Sequence, residues 1–478
     1  MAIPNQMYVD GRWVPASDGA TLDLVDPATE EVVDTVPVAT ESDLDEALAA
    51  ADRGWREWRE QDAWTRSAAV RRAGEWIREH ADEVAAVLTE EQGKPLPEAK
   101  GEVGAAADQF DWYADEARRI YGRVVDGHSR DHRLLVLRQP VGPVAGFSPW
   151  NFPALLSARK IAPAVAAGCS IVIKPAVEAP RTTMMLARAC HEARIPAGVV
   201  NVVTGSSSMI CRKLLGSPVI RKVSLTGSVP VGQEILRQAA EGIKTVSMEL
   251  GGHSPVLVFP DADVETAAEL CARGKYRNNG QVCIAASRFY VHEDVVDRFT
   301  ARFVEVTSSL VLGDGRQPGV DVGPLANRRR LEATEELVQD ALDQGAALAY
   351  GGHRPEGMVR GFYFVPTVLT NVDTSMRLMT EEPFCPIAPI TTFRELDEVI
   401  EKANATEFGL AAYVFTTSTR TAFLSAERLE VGMVGINNLV LATAEAPFGG
   451  VKLSGYGREG GTEGIEAYTV AKYVNIKL

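Results

Sequence analysis

The chain has 478 residues, 46% of them hydrophobic, which is too long for one small core and predicts two or three domains. The formal net charge of −15, with no basic run longer than Arg328-Arg329-Arg330, argues against nucleic acid as a partner. Pro, Gly and Cys interrupt the apolar runs before they reach the about 20 residues that cross a bilayer, so we expect no transmembrane helix.

The start of the chain and the cysteines indicate a cytoplasmic protein. Residues 1–7 lack the basic and apolar regions of a secretion or import signal. The 6 cysteines have no metal-site spacing and suit a reducing compartment. His128 and His132 stand four apart, but the glycine and serine beside them favour a turn and no third ligand lies near. No metal site is therefore expected.

Hydrophobic periodicity predicts an α/β protein. Helical spacing runs from about residue 41 to residue 119, with a break at Gly93-Lys94-Pro95, and residues 134–140 resemble an edge strand. Alternating elements follow, with strands predicted at 141–147, 170–174, 199–203, 220–225, 245–248 and 256–259 and helices at 154–167, 181–194, 206–215 and 231–240. This alternation predicts a mostly parallel sheet covered on both faces, with ligands at the carboxyl ends of its strands.

The second half of the chain predicts a separate domain and an unpaired tail. Residues 263–449 alternate again between helix and strand and contain Cys283. Residues 455–460 fit the GxGxxG pattern, but no strand precedes them, so a flexible loop is expected. Residues 467–476 form a strand without a local partner. With residues 134–137 they make an edge that pairs either within the chain or with another subunit.

Four motifs carry the chemistry. Cys283 follows a polar turn that contains Gly280, which suits a reactive thiol, although a buried structural cysteine is the alternative. Glu249 stands where an apolar strand enters a turn, as a catalytic carboxylate or as a helix cap or salt-bridge partner. Residues 227–232 join a strand to a helix and suit either a pyrophosphate or an ordinary turn. Lys174 ends a strand where it can reach a ribose or phosphate, with a surface lysine as the alternative.

Together these motifs resemble the aldehyde dehydrogenase superfamily over essentially the whole chain. The matching segments are Pro149-Trp150-Asn151-Phe152-Pro153, Lys174-Pro175, residues 227–232, Glu249-Leu250-Gly251-Gly252, Gly280-Gln281-Val282-Cys283, Glu382-Pro383-Phe384 and Pro447-Phe448-Gly449-Gly450. The resemblance implies a Rossmann-like NAD(P)-binding domain (1–121 and 142–251), a catalytic domain (252–449) and oligomerisation strands (122–141 and 450–478). It also implies a homodimer or homotetramer.

The same resemblance implies a role for each matching residue. Cys283 is the expected nucleophile, Asn151 the amide that holds the oxyanion, and Glu249 the base that activates water. The residues expected to bind the cofactor are Trp150, Lys174, Gly227, Ser228, Glu382 and Phe384. Val177 stands where many NAD-preferring relatives have a glutamate. The missing carboxylate removes a repulsion against a 2′-phosphate, so NADP is expected to be tolerated or preferred.

Two arginines point to a carboxylated substrate. Arg159 lies eight residues after Asn151 on a predicted helix, so both residues face similar directions, and Arg277 precedes Cys283 by six. Both match arginines of succinate semialdehyde dehydrogenases, and Thr443 stands near the serines of those enzymes. The alternative for each arginine is a structural ion pair. Succinate semialdehyde is the expected substrate, with glutarate semialdehyde or another acidic aldehyde as the near rival.

Two further functions and two departures from the family complete the expectations. A cofactor-independent cysteine hydrolase and a catalytically silent structural homologue remain as alternatives. Ala285 stands two residues after Cys283, so no local disulfide switch is expected. Cys385 occupies a position that usually holds glycine, and the sequence offers no reason for it.

Overall fold

The computed structural model describes residues 4–478. The first three residues of the segment 1–7, in which we see no import signal, lie outside the described residues. Within the described chain, an eight-stranded sheet and a seven-stranded sheet form the two halves of the molecule, and a three-stranded sheet stands beside them. Two short antiparallel pairs complete the strands. The α/β class predicted from the sequence is confirmed.

The strands follow one another along the whole chain. They are β1 (Met7–Val9), β2 (Arg12–Val14), β3 (Thr21–Val25), β4 (Val32–Pro37), β5 (Arg123–Val125), β6 (His132–Pro140), β7 (Val144–Ser148), β8 (Ile171–Pro175), β9 (Val200–Val202), β10 (Lys222–Thr226), β11 (Thr245–Glu249), β12 (Ser254–Val258), β13 (Ala286–His292), β14 (Ala347–Tyr350), β15 (Thr367–Thr370), β16 (Ile387–Phe393), β17 (Phe408–Gly409), β18 (Ala411–Phe415), β19 (Met433–Ile436), β20 (Val451–Lys452), β21 (Gly455–Tyr456) and β22 (Thr469–Lys477).

The helices begin with a run of four in the first quarter of the chain. They are α1 (Glu41–Trp58), α2 (Ala63–Glu79), α3 (Ala81–Gln92), α4 (Leu96–Glu116), α5 (Pro153–Ala167), α6 (Pro180–Glu192), α7 (Ser207–Gly216), α8 (Val229–Glu241), α9 (Val264–Tyr276), α10 (Val296–Ser309), α11 (Arg328–Asp343), α12 (Arg377–Thr380), α13 (Leu396–Asn404), α14 (Thr419–Arg428) and α15 (Gly461–Glu466). No helix among residues 4–478 is long and apolar enough to span a membrane.

Local signals explain where several helices start and stop. Thr40 caps α1 through a reciprocal capping box with Asp43. The break predicted between residues 93 and 95 is a left-handed turn at Gly93, whose φ of 90° ends α3 without a Cβ penalty. Prolines open α5 and α6, since the first turn of a helix needs no N–H from them.

The first sheet brings the carboxyl ends of its parallel strands to one edge. Its order is β2-β1-β9-β8-β7-β10-β11-β21, and the strands from β9 to β11 are parallel. The chain moves outward from β7 through β8 and β9 on one side, whereas β10 and β11 lie on the other. The loops after β7 and β10 therefore flank a topological switch point, where open α/β sheets bind ligands.

The second sheet begins with a strand that we expected in the first. Its order is β14-β15-β16-β13-β12-β18-β19, and β12 pairs in parallel with β13 and β18. Residues 256–259 were predicted from alternation as a sixth strand of the preceding segment, and that grouping is wrong. The turn at Gly251-Gly252 carries the chain out of the first sheet, and a Cβ on Gly252 would lie only 2.6 Å from the carbonyl oxygen of Cys283.

The tail finds its partner within the chain. Strand β22 pairs antiparallel with β6 from Thr469 opposite Pro140 to Lys477 opposite His132, and β5 completes this three-stranded sheet on its other side. Of the two pairings left open by the sequence, the intramolecular one is observed. Whether an outer edge of this sheet also meets a second subunit stays a prediction.

The segment expected to be a flexible loop is instead part of the first sheet. Strand β21 pairs antiparallel with β11, and Glu459 is buried with its carboxylate 2.6 Å from the ammonium of Lys160. Gly455 has a φ of 138°, and a Cβ there would lie 1.9 Å from the carbonyl oxygen of Met248. Its partner strand lies far away in sequence, so no local pattern reveals the pairing. Of residues 450–478, only β22 belongs to the three-stranded sheet.

Two helical glycines, one closely packed and one in open space, provide a test of the fold. Replacing Gly54 of α1 by alanine puts a Cβ 2.3 Å from the carbonyl carbon of Gly198, so we expect a loss of about 1–3 kcal/mol in the free energy of unfolding. Gly101 of α4 has nothing within 4 Å of an added Cβ. The matched Gly101→Ala variant should gain up to about 1 kcal/mol through helix propensity. Thermal unfolding measures both; equal effects would contradict the packing.

Candidate active site

Two adjoining cavities lie at the carboxyl edge of the first sheet. The inner one, of about 270 Å³, is lined by Pro149, Trp150, Asn151, Thr226, Gly227, Ser228, Leu250, Gly251, Cys283, Arg329, Arg330, Glu382 and Phe384. The outer one, of about 660 Å³, shares Pro149, Thr226, Gly227 and Ser228 with it and extends to Lys174 and Arg212. The two cavities form one groove that runs from the end of β8 to Cys283.

Cys283 is presented by a left-handed turn. Asn278, Asn279 and Gly280 have φ values of 47°, 56° and 71° in succession. A side chain at Gly280 would collide with the backbone of Cys385, because an added Cβ would lie 2.3 Å from its carbonyl oxygen. Cys283 is partly exposed, whereas the other described cysteines are buried. The alternative of a fully buried structural thiol therefore does not describe this residue.

The surroundings of the Cys283 thiol disfavour its ionised form. Burial is the main cause that raises the pKa of Cys283 to about 12, and the carboxylates of Glu382 and Glu249 add to the rise. The guanidinium of Arg159 opposes it. A thiolate in this site therefore needs a base to take the proton.

Asn151 links the loop after β7 to the loop of Cys283. Its side-chain amide donates a hydrogen bond to the carbonyl of Gln281 at 3.0 Å. Its own backbone carbonyl accepts bonds from Lys94 at 2.7 Å and from Asn278 at 2.9 Å. The side-chain amide of Asn151 is thus bound to Gln281, which lies two residues before Cys283 in the neighbouring loop, and Asn151 lines the inner cavity.

Glu249 is a buried carboxylate without hydrogen bonds. It ends β11 beside Thr226, and neither of its carboxylate oxygens has a partner within residues 4–478. Burial raises the pKa of Glu249 well above its ordinary value, and the charge of Glu459 adds to the rise. Lys160 and Arg159 oppose it. A carboxyl group of this kind holds a proton more readily than an exposed glutamate, as a general base or acid must.

The three residues expected to bind substrate are placed differently from one another. Arg159 is buried on α5, its guanidinium 4.1 Å above the ring of Phe448, and its Nε and Nη2 have no hydrogen-bond partner among the described residues. Arg277 is exposed and stacks 4.9 Å above the ring of Phe152. Thr443 is half-buried, and its backbone N–H donates to the carbonyl of Leu441 at 3.2 Å.

Neither arginine is used in a structural ion pair. No salt bridge joins Arg159 or Arg277 to a carboxylate within 4.0 Å in the part of the chain that the structure describes. Both stack instead on rings of one core cluster, that of Phe152 and Phe448, against which Cys283 also packs. The ion-pair alternative is therefore not what the structure contains.

The outer cavity has the polar groups that a dinucleotide requires. Lys174 donates to the hydroxyl of Ser207 at 2.8 Å, and burial lowers the pKa of Lys174 to about 8. Ser228 is the residue before α8, and its side chain makes no cap hydrogen bond. It therefore leaves the backbone amides in the first turn of α8 available to a ligand in the cavity. Glu178 lies 3.4 Å from the amide of Asn327, and no carboxylate stands at Val177.

The inner cavity is closed by residues from the second half of the chain. Glu382 accepts a hydrogen bond from the backbone N–H of Gly252 at 3.0 Å, and burial raises the pKa of Glu382 to about 7. The rings of Trp150 and Phe384 meet edge to face at 5.5 Å. These residues enclose the space between Gly227 and Cys283, so the expected cofactor residues all line the groove.

Several residues of the site were missed in the sequence. Arg330 lines the inner cavity and donates to the carbonyls of Pro383 and Phe384 at 2.6 and 3.1 Å. It belongs to the basic triplet at residues 328–330, from which we argued only against nucleic-acid binding. Lys160 lies inside an apolar predicted helix, and a charge in that position was a usable signal of a buried pair. No group of three His, Cys, Asp or Glu in residues 4–478 is arranged to hold a metal ion.

Comparison with known proteins agrees with this architecture. The aldehyde dehydrogenase family matches residues 13–474. The glutarate-semialdehyde dehydrogenase of Pseudomonas putida is 43% identical over 99% of this chain and 98% of its own. The NADP(+) succinate-semialdehyde dehydrogenase of Escherichia coli is 42% identical over the same shares. The crystal structure of succinate-semialdehyde dehydrogenase from Burkholderia pseudomallei has a TM-score of 0.98 and 42% identity over 100% of this chain and 98% of that one.

The groove lies at the carboxyl edge of a parallel α/β sheet, where open sheets of this kind bind ligands, and it ends at Cys283. The chain belongs to the aldehyde dehydrogenase family. It is an NAD(P)-dependent aldehyde dehydrogenase, as the motifs predict.

The protonation of Cys283 gives a direct test of its environment. With a thiol pKa of about 12, alkylation of the cofactor-free enzyme by iodoacetamide should rise about tenfold per pH unit between pH 7 and pH 10. Mass spectrometry of the labelled peptide measures the rate, and Cys283→Ser is the control for labelling at the other, buried cysteines. A plateau near pH 8 would contradict the burial of this thiol.

Proposed function

We propose that this enzyme oxidises a short aldehyde that carries a terminal carboxylate, with succinate semialdehyde first and glutarate semialdehyde second. The observation that carries the proposal is Arg159, a buried guanidinium with two unpaired nitrogens whose charge acts on both Cys283 and Glu249. A buried cation without a partner is costly, so a substrate anion that pairs with it gains binding energy. The names of the relatives support both substrates.

Arg277 is the second contact for the substrate carboxylate in this proposal. It lies above Phe152, the residue after Asn151, and is exposed where Arg159 is buried. An exposed arginine attracts the acidic aldehyde to the entrance, and the buried one discriminates, because its interaction is less screened. Thr443 is proposed to face the same substrate from the segment before Phe448.

The chemistry begins at Cys283. Glu249 takes the proton of the Cys283 thiol, and the resulting thiolate attacks the aldehyde carbon and forms a C–S bond, while the electron pair of the C=O π bond moves to the oxygen, which becomes an oxyanion. The Asn151 amide and the backbone N–H of Cys283 donate to that oxyanion, a contribution of about 3 kcal/mol for one such donor. For this, the amide of Asn151 exchanges the carbonyl of Gln281, its present acceptor, for the substrate oxygen.

Glu249 is the proposed base of the second half of the reaction. Bound NAD or NADP supplies the acceptor for the hydride, and a thioester on Cys283 results. Glu249, after losing the first proton to solvent, takes a proton from the water that attacks this thioester; the C–S bond breaks, the acid is released, and Glu249 returns the proton to the departing thiolate. Its carboxylate, free of hydrogen bonds within the described chain, is available for that water.

The groove fits a dinucleotide, with NADP as the preferred form in this proposal. Lys174 is proposed at the adenosine ribose, Ser228 and Gly227 at the phosphates, and Glu382 at the nicotinamide ribose, with Trp150 and Phe384 packing beside it. Arg212 lines the outer cavity, and no ion pair or hydrogen bond of this arginine exists within residues 4–478. Val177 adds no negative charge there. A 2′-phosphate would therefore meet Lys174 and a free guanidinium.

The organisation around this activity is part of the same proposal. The cofactor domain comprises residues 1–121 and 142–251, the catalytic domain residues 252–449, and strands of the remaining segments serve assembly as a homodimer or homotetramer in the cytoplasm. Exposed apolar side chains on the three-stranded sheet support assembly: Val124, Val125, Leu137, Val470, Tyr473 and Ile476. The hydrogen bond from Lys160 to Glu459 at 2.6 Å supports grouping that part of the tail with the cofactor domain rather than with the assembly strands.

A substrate panel tests the carboxylate assignment. In Arg159→Met, kcat/KM for succinate semialdehyde should fall roughly 30- to 150-fold, because a charge-assisted hydrogen bond is lost. This factor corresponds to a loss of about 2–3 kcal/mol in transition-state stabilisation. The value for butanal, which has four carbons and no carboxylate, should fall by a clearly smaller factor, because that aldehyde loses only the effect of the guanidinium on Cys283 and Glu249 and no direct contact. Arg277→Met should show the same selectivity mainly in KM. Equal losses for both aldehydes would refute the assignment.

The pH dependence of cofactor binding tests Lys174. Its pKa of about 8 lies below the ordinary value, so the side chain is charged below pH 8 and becomes neutral above it. KM for NADP should therefore rise as the pH increases through 8, and KM for NAD, which has no 2′-phosphate, should rise less. In Lys174→Met the difference in slope should disappear. A rise that persists in this variant would assign the effect to another group.

A further inference from the structure

The segment between α3 and α4 reaches into the centre of the site. Lys94 is fully buried, although it belongs to neither sheet and lines neither cavity. Its ammonium donates to the carboxylate of Glu102 at 2.5 Å and to the backbone carbonyl of Asn151 at 2.7 Å. It also lies 3.8 Å above the ring of Phe152. Two of these three contacts, to Asn151 and to Phe152, therefore fix the turn that carries the amide of Asn151.

Glu102 also binds the start of α5, the helix that follows Asn151. Its second carboxylate oxygen accepts from the backbone N–H groups of Ala154 at 2.8 Å and Leu155 at 3.2 Å. Helix α5 has no side-chain cap of its own, so this carboxylate from α4 satisfies its first free amides. The Lys94–Glu102 pair thus holds both sides of Asn151: the carbonyl of the residue itself and the start of the helix after it.

A parallel chain of amides connects this pair to the nucleophile loop. The backbone N–H of Lys94 donates to the side chain of Gln92, which donates in turn to Asn278 at 2.9 Å. The side-chain amide of Asn278 then donates to the carbonyl of Asn151, the same oxygen that Lys94 binds. Two donors, one between α3 and α4 and one in the loop before Cys283, therefore bind the same carbonyl oxygen, and together they restrain rotation of the peptide plane next to the side chain of Asn151.

We infer that Lys94 is a positioning residue of the reaction: it orients the side-chain amide of Asn151 toward the substrate oxygen by holding the backbone carbonyl of that residue. Lys94 does not touch the substrate, and it acts only through Asn151. The inference rests on the proposed role of Asn151 as the oxyanion donor. Geometry of this kind matters because a donor displaced by about 1 Å from the oxyanion loses much of its effect on the rate.

The test uses a variant that removes the pair without leaving a buried charge. Lys94→Met alone leaves Glu102 unpaired and is expected to lower the melting temperature strongly. The double variant Lys94→Met/Glu102→Gln removes both charges and keeps an acceptor for Ala154. The matched control is Lys100→Met. Lys100 is an exposed lysine on α4, the helix of Glu102, and it pairs with Asp82. Thermal unfolding and NADP binding of the full-length enzyme establish that each variant is folded.

The rate of the first turnover, measured as NADPH formation, decides the outcome. We expect a fall of about tenfold or more in the double variant with KM for the aldehyde little changed, and no fall in Lys100→Met. In an Asn151→Ala background the same two changes should lower the rate by less than about twofold, because they act through the missing amide. A folded double variant with a normal rate would overturn the inference, and so would losses that multiply in the combined variant.

The control arm separates this inference from the proposed function. If Asn151→Ala alone leaves the first turnover unchanged, the oxyanion role of Asn151 fails, whatever Lys94 does. If Asn151→Ala lowers the rate and the Lys94 change adds its own full effect, the oxyanion role stands and the positioning role of Lys94 fails.

Discussion

The double hydrogen bond at the carbonyl oxygen of Asn151 is the contact on which the site depends. The amide of Asn151 follows β7 of the first sheet, whereas Cys283 belongs to the loop that enters β13 of the second. The separation of these two groups is therefore a distance between two halves of the molecule. Lys94 and Asn278 reach the same oxygen from the two sides and fix that distance. A buried carbonyl with both acceptor sites filled is a rigid point at which to join two sheets.

Glycines at the same junction let the two halves approach. An added Cβ on Gly251 would lie 2.4 Å from a carboxylate oxygen of Glu382, and one on Gly449 would lie 2.8 Å from Glu249. The two carboxylates are thus pressed against backbone rather than against side chains. A side chain at either glycine would therefore displace one of these two carboxylates.

Much of the first sheet could be predicted from the sequence, because its strands and helices follow from local hydrophobic patterns. Strands ending at residues 174, 225 and 248 were predicted from alternation, each within one residue of the observed end, and the parallel sheet then brings these ends together. Sheet membership was not readable: β12 and β21 find partners through turns and through contacts distant in sequence. The helical repeat predicted that Arg159 faces the same cavity as Asn151; Arg159 is buried on α5, and the residues that line the two cavities do not include it. Arg277 lies beyond the end of α9, where no repeat fixes its direction. Lys94 looked only like a break between helices.

Arg159 has two duties that compete with each other. Its charge lowers the pKa of both Cys283 and Glu249, against the burial that raises them. A carboxylate bound to the free nitrogens of this guanidinium would neutralise part of that charge, so an acidic substrate makes the thiol harder to ionise. A neutral aldehyde leaves the charge intact but gains no binding energy from it. Selectivity for a carboxylated aldehyde and activation of the nucleophile therefore draw on the same cation, and Lys160 beside Glu249 is the buried positive charge that remains available when the substrate occupies Arg159.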